Sequence, residues 1–270
     1  MTVPADDTPQ PRVPTLTGGT GLGVVTLNLY HDAADWPLRE PLIVSELRAL
    51  RPDVIALQEV LQHEGLPNQA GTLAQALGYE WRFFSTDPPG QARRYGNALL
   101  TRRPIIDHSE RRLRPDEDNR IAGHLRIELD GYPVAVYVTH LHWKPEGGAI
   151  RRRQVQDLLA FIHDTRHGAA VVIAGDFNAE PDAPELSALH RAGYADAYGQ
   201  RHPQVLAGSV TTVNPAFFDF RARIDHIFYA TQALRADSAE IVLNQADAAG
   251  TSPSDHFGLY ARLTWQRRDR

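Results

Sequence analysis

The sequence predicts an α+β fold of two packed sheets with an internal twofold repeat. Three observations lead there. Apolar runs rich in β-branched residues recur and end in a polar or acidic residue, as in Val171-Val172-Ile173-Ala174-Gly175-Asp176, the pattern of a buried strand. Two pairs of such runs are joined through a helical stretch. The order strand, polar residue, helix, strand, acid leads from Asn28 to Glu59, and again from His140 to Asp176. A duplicated βαβ-like plan fits two sheets whose strand ends meet in one cleft.

Each element follows in order. The first 21 residues, with Pro, Thr, Gly and Asp, read as a mobile lead-in, and residues 22–266 as one domain. Val24 to Asn28 is a strand. Leu38, Leu42, Leu47 and Leu50 then recur at helical spacing until Arg51-Pro52-Asp53 breaks the helix. Val54 to Glu59 is the next buried strand. Thr72 to Leu77 is a short helix closed by Gly78. Tyr79 to Phe84, Gly96 to Thr101 and Ile121 to Leu129 read as strands. Val134 to His140 opens the second repeat, and Val155, Leu158, Leu159 and Ile162 share one helix face. Asp182, with Glu185 three residues on, predicts an N-cap and a helix to about Ala192. Arg223 to Tyr229 and Phe257 to Trp265 are late strands. Asp107 to Arg120 and Gln200 to Arg221 lack periodicity and read as functional loops.

Composition narrows the chemistry. With no cysteine, disulfides, thiolate metal sites and a cysteine nucleophile are excluded. No apolar run approaches a membrane span. The start lacks the basic and apolar regions of a secretory signal, so the expectation is a cytoplasmic monomer. The net charge of −5 gives no global attraction to nucleic acid. Arginines nevertheless cluster at Arg93-Arg94, Arg102-Arg103, Arg111-Arg112 and Arg151 to Arg153.

The strand ends carry Asn28, Glu59, His140, Asp176, Asn178, Asp225, Asp255 and His256. Residues two apart on an extended segment point the same way, so Asp176 and Asn178 project together. Taken singly, Asn28 and Asn178 suit turns, Asp176 suits a cap, and Asp225 suits a surface pair with Arg223. Together, carboxylates and amides without thiols suit Mg²⁺ or Mn²⁺, and the histidines supply proton transfer. The combination predicts metal-assisted in-line attack of water on a phosphoester. Neither a nucleophile elbow nor a phosphate loop of the G-x-x-x-x-G-K-[ST] kind is present.

Leu57-Gln58-Glu59-Val60, Thr139-His140-Leu141, Gly175-Asp176-Phe177-Asn178, Ile224-Asp225-His226-Ile227 and Ser254-Asp255-His256 occur in the order found in the endonuclease/exonuclease/phosphatase superfamily, which the chain resembles from about Val24 to Leu263. The resemblance implies the deoxyribonuclease I-like fold, a four-layer α/β/β/α sandwich of two mostly antiparallel sheets. It implies that Glu59 ligates the metal, with Asn28 beside it and Asp255 nearby. By the same resemblance His256 acts as general base or holds the scissile phosphate, and Asp225 orients it. Asp176 aligns the water or assists the leaving oxygen, while Asn178 and His140 contact phosphate oxygens. The expected activity is that of a Mg²⁺-dependent phosphodiesterase or nuclease. A phosphomonoesterase, a lipid phosphodiesterase or an inactive binding module are the alternatives. Thr139 to Pro145 resembles the deadenylase branch of the superfamily. One arginine of Arg151 to Arg153, and Arg120, are candidate phosphate ligands. Trp143, Phe217, Phe218 and Phe220 either stack on bases or anchor loops.

Overall fold

The computed structural model describes residues 21–205 and 208–266, so the expected lead-in, apart from Gly21, lies outside the described residues. The elements run β1 (Leu22–Asn28), α1 (Trp36–Leu50), β2 (Val54–Gln62), α2 (Gln69–Leu77), β3 (Glu80–Phe84), β4 (Arg94–Thr101), β5 (Asp107–Leu113), β6 (Arg120–Leu129), β7 (Tyr132–His140), α3 (Gly148–Thr165), β8 (Ala170–Asp176), α4 (Ser187–Arg191), β9 (Tyr194–Asp196), α5 (Ala197–Arg201), β10 (Asp225–Ala230), β11 (Leu234–Val242) and β12 (Gly258–Trp265).

Two six-stranded sheets result, ordered β11-β12-β1-β2-β4-β3 and β5-β6-β7-β8-β10-β9. The duplicated plan is real. β1–α1–β2 and β7–α3–β8 each join a parallel strand pair through a helix, while the other strand pairs are antiparallel. The alternation of strand side chains then sets the layers. Val24, Ala56 and Leu99 of the first sheet share a core with Leu125, Val136, Val172 and Ile227 of the second. On the outer faces, Val25, Leu27 and Ile55 pack beneath Ile43 and Leu47 of α1, and Tyr137 and Ile173 beneath Leu158 and Phe161 of α3. This is the expected four-layer α/β/β/α sandwich.

Three local expectations are corrected. In α1 the buried face is Trp36, Arg39, Ile43 and Leu47, and Leu38 is 56% exposed; a buried arginine displaces the leucine. Asp107 to Arg120 is no irregular loop: its first half is β5, an edge strand whose charged residues alternate between half-buried and exposed, followed by a 3-10 turn at Asp116–Asp118. The helix expected from Asp182 is only α4, with no side-chain cap, because Glu185 is drawn to Arg151 instead. β11 and α5 carry too weak a pattern to stand out in the sequence.

Candidate active site

Both parallel pairs end at the same edge of the sandwich. Asn28 closes β1 and stands level with Gln58 of β2. The β2–β4 ladder then shifts register between Leu57 and Val60, and Glu59 takes φ 56°. A bulge with a left-handed non-glycine residue is strained and re-aims a side chain. Here Tyr95, which follows Arg94 at the start of β4, lies near the Glu59 carboxylate, and burial together with that charge pushes its phenol up.

In the second sheet His140 and Asp176 are paired neighbours at the ends of β7 and β8. A Cβ on Gly175 would lie 2.0 Å from the Thr139 carbonyl oxygen, so glycine lets the two strands close where the site residues emerge. Asp225 opens β10 directly opposite Asp176. Asn178, at φ 50°, donates its backbone N–H to Asp176 (2.9 Å) and its amide to the Leu141 carbonyl (3.1 Å).

Contacts between the sheets assemble one cleft. Asn28 Nδ2 donates to Asp176 Oδ2 at 3.1 Å. His256 Nδ1 meets Asp225 Oδ2 at 2.9 Å. His140 Nε2 lies 3.4 Å from Asp176 Oδ2. Ser254 Oγ donates to the Asn28 carbonyl (2.6 Å) and accepts from the His256 N–H (3.1 Å), fixing the Asp255-His256 turn against β1. Thr212 Oγ1 accepts the Ile224 and Asp225 N–H groups. Val213 bridges His256, and Asn214 N–H donates to the Asp255 carbonyl. These contacts join Asn28, His140, Asp176, Asn178, Asp225 and His256, and the charge of Glu59 reaches Asp255 beside His256.

The electrostatics follow from crowding and burial. Burial, aided by the Asp225 carboxylate, pushes Asp176 up to about 7. Burial also pushes Asp255 up to about 6, with Glu59 and Asp225 adding to it. For His256 burial opposes the charge, but Asp225, Asp176 and Asp255 outweigh it and raise the imidazole to about 10. His140 is driven well below the usual imidazole range by complete burial, reinforced by the charges of Arg120 and His256.

The donor set suits a hard divalent cation. Ligand atoms of Asp176, Asp225 and His256 lie within 4.8 Å of one another. Asp225 Oδ1 and His140 Nδ1 are buried without a hydrogen-bond partner. Carboxylates packed so closely that two are held partly protonated are what a cation relieves.

Two residues that shape the cleft were not singled out by the sequence motifs: Thr212 and Asn214, a hydroxyl and an amide whose contacts are with distant neighbours. Arg39 is fully buried, and its guanidinium donates to the carbonyls of Leu29, Tyr30, His31, Ala33 and Pro253, tying the chain after Asn28 to the turn before Asp255. Of the three candidates Arg151 to Arg153, Arg151 is engaged elsewhere. It is buried and spent on Glu185 and on the carbonyls of His142, Lys144 and Pro145, where it ties the segment before α3 to the helix. Arg223 pairs with Asp196, not with Asp225. Arg120, by contrast, is nearly buried, and its Nε has no hydrogen-bond partner.

Residues 25–256 match the model of the Endonuclease/Exonuclease/phosphatase family. The chain belongs to that family. Human nocturnin is 26% identical over 84% of this chain and 58% of its own length. Bovine 2',5'-phosphodiesterase 12 is 25% identical over 88% of this chain and 48% of its own length. The chain thus spans about half the length of these relatives. The human nocturnin catalytic domain with a bound sulfate anion superposes with a TM-score of 0.75 at 25% identity, covering 91% of this chain and 95% of that domain. No helix among the described residues is long and apolar enough to cross a membrane.

Proposed function

We propose that this family member is a Mg²⁺-dependent phosphodiesterase acting on nucleic acid, with Mn²⁺ as a substitute ion. The observation that carries the reading is the convergence of Glu59 and Asp255 on one side with Asp176, Asp225 and His256 on the other, across two sheets. Glu59 and Asp255 would hold the cation, with Asn28 beside them. Bound there, the ion supplies Lewis-acid polarisation of the phosphoryl group.

The residues divide the remaining work. His256, kept cationic by Asp225, holds a non-bridging phosphate oxygen through its other ring nitrogen. Asp176, poised near neutrality, orients the attacking water and takes its proton. Asn28, donating to Asp176, fixes the rotamer of that carboxylate. Asn178 lends an amide N–H to the phosphate, and neutral His140 stands ready to donate another. Arg120, whose charge reaches both Tyr95 and His140, faces the developing charge on the phosphoryl oxygens. With the catalytic set intact, an inactive binding module is disfavoured.

Exposed aromatics favour an unstacked base over a lipid. Phe218 sits edge-on to His256, 6.1 Å between centroids. Phe217 packs on Tyr30 at 5.6 Å. Phe217, Phe220 and Trp143 remain 40%, 50% and 60% exposed, which suits base stacking. The 2',5'-phosphodiesterase among the relatives is a diesterase by name. The test is a panel with and without EDTA: bis(p-nitrophenyl) phosphate, single-stranded and duplex DNA, poly(A), p-nitrophenyl phosphate, inositol phosphates and sphingomyelin. Mg²⁺-dependent cleavage of the diester and of a single strand is expected. Turnover confined to monoesters or to sphingomyelin would replace the reading.

A further inference from the structure

The acidic cleft and the net charge of −5 both repel a polyanion, so a nucleic-acid substrate needs a local positive guide. One lies at the open edge of the sandwich, where β3 and β5 end their sheets. Arg93 is exposed at the loop leading into β4. Arg94 is held by stacking over Phe83, 5.0 Å to the ring centroid, and by donating Nε to the Asp87 carbonyl. Arg112 of β5 reaches across to donate to the Thr86 carbonyl. Both arginines are thus oriented through neutral partners, and neither forms an ion pair among the described residues. Their positions are thus fixed without an ion pair.

The neighbouring acids are accounted for. Asp87 accepts the Tyr95 N–H. The Glu110 carboxylate interacts electrostatically with both Arg94 and Arg112, which places these two on one patch. Asp116 and Glu117 line a separate depression with Arg114 and Arg153. The ridge stands at the ends of β4 and β5 nearest the cleft. Arg94 precedes Tyr95, the Glu59 neighbour, and Arg112 pairs with Ile121 beside Arg120.

We propose that Arg93, Arg94 and Arg112 form a track that binds the backbone of a single-stranded nucleic acid flanking the scissile phosphate. This deepens the proposed function and rests on its nucleic-acid reading. A polymer would gain affinity from the ridge, whereas a small diester would not reach it.

The test is fluorescence anisotropy of a labelled 12-nucleotide single strand with the full chain in EDTA, where nothing is cut, across a salt series. Two triple variants are compared: R93Q/R94Q/R112Q, and R93K/R94K/R112K, which keeps the charge. The glutamine variant should bind about tenfold or more weakly at low salt, with a log–log salt slope shallower by about 2, from three phosphate contacts at roughly 0.7 each. The lysine variant should keep the wild-type slope. The track is overturned if the wild type does not bind the strand, if the glutamine variant keeps affinity and slope, or if the lysine variant loses as much. It is also overturned if vesicles with 20% phosphatidylserine bind the chain more tightly than the strand does. Turnover of bis(p-nitrophenyl) phosphate, read separately, tests the hydrolase reading, so failure of one is distinguishable from failure of the other.

Discussion

At the scale of residues, the site is defined by its carboxylates and by what opposes their charge. Asp176 and Asp255 are raised to about 7 and about 6 by burial first and neighbouring acids second. A carboxylate raised in the folded state stabilises the fold while protonated and loses that contribution as pH climbs from the unfolded value near 3.8 through the folded one. The metal-free protein should therefore lose stability between about pH 4 and pH 7. A cation competes with those protons, so Mg²⁺ should raise the melting temperature more at pH 8 than at pH 5, measured by scanning fluorimetry. Equal increments at both pH values would remove the cluster as the ion's site. Asp176→Asn should raise the EDTA melting temperature at pH 8 by a few degrees while lowering turnover. Asp225→Asn keeps the shape but withdraws the charge that holds His256, and should cost kcat about 10²–10⁴-fold by analogy with other Asp–His pairs. A drop of less than tenfold would show that His256 needs no such partner.

At the scale of elements, α1 shows what periodicity reads well and what it misses. The leucine spacing located the helix, but the buried stripe is shifted by one position, onto Arg39. Arg39 earns burial because its donors are met by five carbonyls, which no local pattern signals. Removing it should destabilise the protein by about 3–5 kcal/mol, as for other buried charged groups whose partners are left unpaired, and should loosen the Asn28 and Asp255 turns. Leu38→Ala, on the exposed face, should stay within about 0.5 kcal/mol. Urea unfolding of both variants measures this contrast, and comparable losses would contradict the assigned face. The strands of the two repeats were legible because their cores are continuous and apolar. β5 was not, because an edge strand with one face toward solvent carries Asp, His, Glu and Arg in alternation and reads as a loop.

At the scale of the whole molecule, the two halves of the repeat deliver complementary groups to one cleft. The sequence made most of the cleft legible because its charged residues end buried strands, where an isolated charge is costly. It did not reveal Thr212 and Asn214, which with Ser254 lock Asp225 and His256 together across sheets and depend on contacts distant in sequence. Nor could it separate Arg151, consumed at a helix start, from Arg120, whose Nε makes no hydrogen bond and lies 3.9 Å from Asp118. The central claim is that Glu59 of the first sheet and His256, oriented by the second, serve one metal-dependent hydrolytic site. The most direct measurement is Mg²⁺-dependent hydrolysis of bis(p-nitrophenyl) phosphate by metal-cleaned wild-type, Glu59→Gln and His256→Ala proteins. Each substitution should lower turnover by about 10²–10⁴-fold while leaving the fold intact by circular dichroism. Turnover at the wild-type level in both variants would contradict the account.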